Sequence, residues 1–142
     1  MTVNEFLSQV FLLTRKLNSL KTLKAYYEEK ANSIPGGNYD EPVVQKSREN
    51  KAPFIRWIDK IVDTDKRIAN VEEELNLKIK EVSSVIEKVA NYDYRNLLMM
   101  RYIYLEKMED IAIELSVSLP TIKRWHYLAK NEIEKLIPCE PL

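Results

Sequence analysis

Glycine is nearly missing from this chain: there are 2 in 142 residues, side by side at Gly36 and Gly37. Sheet proteins with many tight turns, the dinucleotide-binding glycine fingerprint and the P-loop all need more. Cysteine and histidine occur once each, as Cys139 and His126. One of each cannot build a zinc site, a disulfide framework, or a Cys–His nucleophile pair with a spare orienting group. No catalytic residue, metal ligand or cofactor is therefore expected, and the chain is not expected to be an enzyme. An excess of either charge is also lacking, since 22 Lys and Arg balance 22 Asp and Glu. No overall field then draws the chain to a polyanion, and any such attraction must be local. Apolar runs such as Leu97 to Met100 fall far short of the ~20 residues of a membrane span. Met1 to Glu5 carry no basic region leading into an apolar stretch. A cytoplasmic protein without membrane contact is expected.

What is present is helical periodicity. Thr2 with Glu5 has the spacing of a capping box. Phe6, Val10, Leu13, Leu17, Leu20, Tyr27 and Ala31 follow in steps of three and four, with Lys24 interrupting. This predicts one helix over about 3–33, ended by Ile34, Pro35, Gly36 and Gly37. Residues 34–50 read as a long loop. A second seam runs through Phe54, Ile58, Ile61, Ile68, Leu75, Ile79, Val82, Ile86 and Val89, predicting a helix over about 52–90. Its gaps place Asp65 and Glu72 on the seam, as a kink, a register device or an end of packing. The two helices fold back as a hairpin, or present exposed seam to another chain.

Residues 93–137 carry more information. Asp93 is positioned to cap a short helix that includes Leu97, Leu98, Arg101 and Tyr102. Ile111, Ala112 and Leu115 share one face of the next helix, with Ala112 small enough for a close crossing. Val117 plugs the following turn, Ser118 is a good N-cap, and Pro120 falls in the first turn, where its missing amide costs little. Ile122, Trp125 and Ala129 turn inward, which leaves Thr121, Lys123, Arg124, Tyr127 and Asn131 outward. Residues 116–131 hold Lys123, Arg124 and Lys130 and no acid. This is the pattern of a helix-turn-helix whose second helix is free to enter a major groove.

The run through Arg101, Tyr102, Glu109, Asp110, Ile111, Ala112, Leu115, Ser116, Val117, Ser118, Ile122, Lys123, Arg124 and Ala129 resembles region four of sigma-70-type sigma factors. The wider layout resembles the small phage-encoded regulators of the RinA and ArpU type. Its parts are an N-terminal helix, a Pro/Gly loop, a long helix, then Leu97, Leu98, Arg101 and Tyr102, and finally His126 and Ala129. The resemblance implies a late-gene transcriptional activator of a phage or prophage that binds double-stranded DNA. Ser116 stands where the sigma-like turn usually has glycine, so a left-handed residue with some strain is expected there. The sigma segments that bind core polymerase and melt DNA are not visible, so a complete sigma factor is not expected.

The sequence thus predicts an all-α chain with a long, coiled-coil-like helical hairpin over 1–92, for oligomerisation or partner binding. A helix-turn-helix DNA-binding domain follows over 93–137. The DNA-binding residues expected are Ser118, Pro120, Thr121, Lys123, Arg124, Tyr127 and Lys130. Double-stranded DNA is the expected partner, with RNA polymerase or a second copy of the chain as a further attachment. The sigma likeness and the acidic breaks at Asp65 and Glu72 favour polymerase over a symmetric dimer. Two other readings stay open: a DNA-packaging recognition protein of the small-terminase kind, and a helical protein–protein adaptor whose motif no longer binds DNA.

Overall fold

A computed structural model describes residues 1–34 and 48–137, with 48–51 described by backbone alone. The chain is all-helical, with no strand among the described residues. The helices are α1 (Val3–Leu7), α2 (Gln9–Asn32), α3 (Arg48–Ile86), α4 (Tyr92–Leu98), α5 (Met108–Glu114) and α6 (Leu119–Leu136). A π-helical turn, Met99–Ile103, continues directly from α4. Most of the expected loop lies outside the described residues. At its end, however, Arg48 already begins α3, a few residues earlier than the periodicity predicts, and Pro53 is carried inside the helix.

The chain divides into two compact units. One comprises Met1–Thr14 with Glu74–Leu142, the other Arg15–Glu73. The partition expected at residue 92 therefore does not follow the packing. In the first unit, Phe6, Leu7 and Val10 share a core with Val82, Ile86, Val89, Leu98, Ala129 and Ile133. The expected boundary would cut through these contacts, because the chain's start and the end of α3 cover an apolar stripe of α6. A second cluster, Leu97, Ile111, Ala112 and Ile122, joins α4, α5 and α6.

The first expected helix is interrupted once, at Ser8. Leu7, beside the predicted seam, is fully buried, so two consecutive side chains enter the core there. The Gln9 side-chain amide donates to the Phe6 carbonyl at 2.9 Å, covering an acceptor at the interruption. Thr2 Oγ1 accepts from the Glu5 amide at 3.2 Å, the backbone half of the capping box.

The second unit corrects the reading of the α3 seam. Thr64 and Val71 are buried, while Asp65 and Glu72 are exposed. The inward stripe thus runs through half-buried Ile61 and Ile68 and buried Thr64 and Val71, the last two one residue before each acid, and neither acid lies on it. Thr64 tolerates burial because its hydroxyl donates to the Lys60 carbonyl at 2.7 Å. Asp65 instead meets Lys24, the residue that interrupts the seam of α2, at 2.8 Å. Tyr27 meets Trp57 with ring centroids 5.8 Å apart, and Lys60 lies 4.7 Å over the Trp57 ring. Moving up α2 from Lys24 to Tyr27 thus corresponds to moving down α3 from Asp65 to Trp57.

Candidate nucleic-acid interface

The site is built on α6, and its support begins in the preceding turns. Asn91, rather than the expected Asp93, caps α4, its side-chain oxygen accepting from the amides of Asp93 and Tyr94 at 2.9 and 3.2 Å. Asp93 falls in the first turn, where a carboxylate suits the helix dipole. The π turn then closes with the Tyr104 amide on the Met99 carbonyl at 3.0 Å. Leu105 follows with φ 57°, redirecting the chain into α5.

Between α5 and α6, Ser116 has φ 57°, the left-handed conformation expected at that position. The Val117 amide reaches back to the Ala112 carbonyl at 3.0 Å. Ser118 caps α6: its Oγ accepts from the Thr121 amide at 3.3 Å and pairs with Thr121 Oγ1 at 2.7 Å. Pro120 sits in the first turn, as predicted. Ile122, Ala129 and Ile133 are fully buried along one stripe of α6. Trp125, expected to face the core, is half-buried against the second cluster, its ring 6.5 Å from that of Tyr94.

The sequence-predicted residues separate into two groups. Lys123, Arg124 and Tyr127 are exposed, and neither cation has a hydrogen-bond or ion-pair partner among the described residues. Ser118, Pro120 and Thr121 lie at the capped start of α6, with both hydroxyls already engaged. Lys130 is half-buried, and its ammonium donates to Asn4 Oδ1 of α1 at 3.3 Å. It thus ties α1 to α6, a contact spanning 126 positions that no local pattern reveals.

His126 lies half-buried at the edge of the buried stripe of α6, stacked on Tyr102 with centroids 5.7 Å apart. Tyr102 Oη and His126 Nε2 share a hydrogen bond of 2.6 Å. Burial, with help from the nearby charges of Lys130 and Arg101, lowers the imidazole pKa to about 4, while burial pushes the Tyr102 phenol up. Both groups are neutral at pH 7. As pH falls, the unfolded chain takes up the imidazole proton first, so this contribution is complete above about pH 6.5 and is lost towards pH 4. Allowing for partial exposure, about 1–2 kcal/mol should disappear across that window. Urea titrations at several pH values check this, and His126→Gln should flatten the dependence.

Among the described residues, no cluster of three or more His, Cys, Asp or Glu is arranged to hold a metal ion. No described helix is long and apolar enough to cross a membrane. A family model described as "Protein of unknown function (DUF1492)" matches residues 56–134, more than half of the chain. The chain belongs to this family. The matched stretch runs from early α3 into the last turn of α6, so it includes α5, the Ser116 turn and the exposed cations of α6. No curated protein and no solved structure matches the chain.

Proposed function

We propose that this member of the DUF1492 family is a sequence-specific regulator of transcription that binds double-stranded DNA. In this reading α5 and α6 form a helix-turn-helix and α6 enters the major groove. The observation that carries it is the division of α6 into two faces. Ile122, Ala129 and Ile133 are fully buried, while Lys123, Arg124 and Tyr127 stand exposed opposite them. A helix held on one side and cationic on the other, with its start capped by Ser118, suits groove entry beside a phosphate backbone. Resemblance to sigma region four and to the RinA and ArpU regulators adds the context: activation of phage late genes in the cytoplasm.

The second unit is a helical hairpin in this reading, with Leu17, Leu20, Ala31, Thr64 and Val71 buried in it. With net charge zero, nonspecific attraction to DNA is weak, so useful affinity calls for a second attachment. RNA polymerase or a second copy of the chain would serve. The acidic breaks that favoured polymerase are not on the buried stripe, so that preference now rests on the sigma likeness alone.

Arg124→Ala tests the proposal. If Arg124 grips a guanine edge, the variant loses about 1–3 kcal/mol on the cognate duplex and tolerates change at one base pair. Equal weakening on every duplex would make Arg124 a backbone contact. An unaltered chain that binds no duplex would overturn the proposal and leave the adaptor reading.

A further inference from the structure

A groove of about 250 Å³ opens in the first unit, lined by Ser8, Phe11, Arg101, Tyr102 and Leu105. Its walls combine one guanidinium, two hydroxyls and apolar surface, with no carboxylate among the described residues that line it. The π turn brings Arg101 here, and the left-handed Leu105 turns the chain away beneath it. Arg101 Nη1 donates to the backbone carbonyl of Glu106 at 3.0 Å, which fixes the fork without neutralising it. The Glu106 carboxyl faces elsewhere: burial and the acids Glu114 and Asp110 push its pKa up. The remaining guanidinium donors have no partner among the described residues. Tyr102, which shares the groove wall, is bonded to His126 in the middle of α6, so the groove adjoins the proposed recognition helix.

We infer that this groove is a phosphate seat, in which the fixed Arg101 guanidinium takes a backbone phosphate of the duplex whose major groove α6 enters. This rests on the DNA-binding reading above. A planar, pre-positioned fork is suited to two phosphate oxygens, and holding it in advance reduces the ordering lost on binding. Such a contact positions the protein and carries no sequence information. Arg101 and Arg124 therefore divide the work, one setting register and the other reading bases. The same phosphoryl chemistry is available from a free phosphorylated metabolite, which would occupy the groove without DNA.

The full-length chain with Arg101→Gln should bind cognate and scrambled duplexes about tenfold more weakly, by the same factor on both, and its logarithmic salt slope should lessen by about 0.9. Arg101→Lys should retain the slope. Ser8→Glu, which sets a carboxylate in the groove while leaving the Arg101–Glu106 bond in place, should weaken both duplexes alike and covers the case in which Arg101→Gln does not fold. An unchanged slope and affinity in Arg101→Gln or Ser8→Glu, with the unaltered chain still binding DNA, would overturn the phosphate seat alone. Absence of duplex binding by the unaltered chain would overturn the parent reading, and the inference with it. Inorganic phosphate and pyrophosphate are the probes for the other source. Saturable shifts of the Tyr102 and His126 resonances without DNA, at an affinity that leaves duplex binding unchanged when saturated, would assign the groove to a small ligand instead.

Discussion

Leu7→Ala should destabilise the α6 end of the chain by about 2–5 kcal/mol, although the substitution lies more than a hundred residues away in sequence. Leu7 is fully buried in the core that also holds Ile86, Leu98, Ala129 and Ile133. Removing three carbons there forfeits their transfer energy and leaves a cavity that surrounding helices fill incompletely. The chain has two tryptophans, which makes the effect readable: Trp57 belongs to Arg15–Glu73, and Trp125 to the unit containing Leu7. In a Trp57→Phe background, urea denaturation followed by Trp125 fluorescence should shift to lower denaturant when Leu7 is shortened. If residues 93–137 instead folded independently of the N-terminus, the Trp125 transition would move by less than about 0.5 kcal/mol.

Ile111→Asp should be more damaging still. Ile111 is fully buried in the cluster that joins α4, α5 and α6, packed among Leu97, Ala112, Ile122 and other apolar side chains. An unpaired buried charge costs about 3–5 kcal/mol or forces the segment open. The α5–α6 contact would then be lost at 25 °C, and the proposed duplex binding with it, although Lys123 and Arg124 are untouched. Ile113→Asp is the matched control. Ile113 is two residues on but 76% exposed, so the same substitution should stay within about 0.5 kcal/mol of the unaltered chain. Thermal unfolding followed by circular dichroism checks both. Similar losses in the two variants would show that α5 does not pack on α6 through Ile111.

These contrasts show which features were legible in the sequence. The seam of α1 and α2 was legible because most of its steps of three and four hold: Phe6, Val10, Leu17, Leu20 and Ala31 are all buried. The start of α6 was equally plain, since Ser118, Pro120 and Ile122 act locally and each does what its chemistry favours there. The α3 seam was misread in the middle because threonine counts as polar in a hydropathy pattern. Its hydroxyl satisfies itself on the preceding turn, so Thr64 can occupy a buried position and leave Asp65 for Lys24. Leu7 lies beside the seam and shares its core with Val3 and Val10, a parallel row that the steps through Phe6 pass over.

The candidate site divides in the same way. The exposed trio Lys123, Arg124 and Tyr127 follows from helical periodicity alone. Lys130 did not, because its partner Asn4 lies at the opposite end of the chain. Nor did the Tyr102–His126 pair, which forms across 24 positions between the π turn and α6. A π turn leaves little trace in a pattern that assumes 3.6 residues per turn, so Arg101 was placed on a plain helix. That turn is what brings Arg101 to the groove beside α6.

The proposed reading of base sequence in duplex DNA by the cationic face of α6 is open to direct measurement. Selection of bound duplexes from a random pool, run in parallel with the full-length chain and its Arg124→Ala variant, tests it most directly. One enriched motif is expected for the unaltered chain, and the same motif relaxed at a single base pair for the variant. Recovery of no enriched sequence by the unaltered chain at any salt concentration would contradict it.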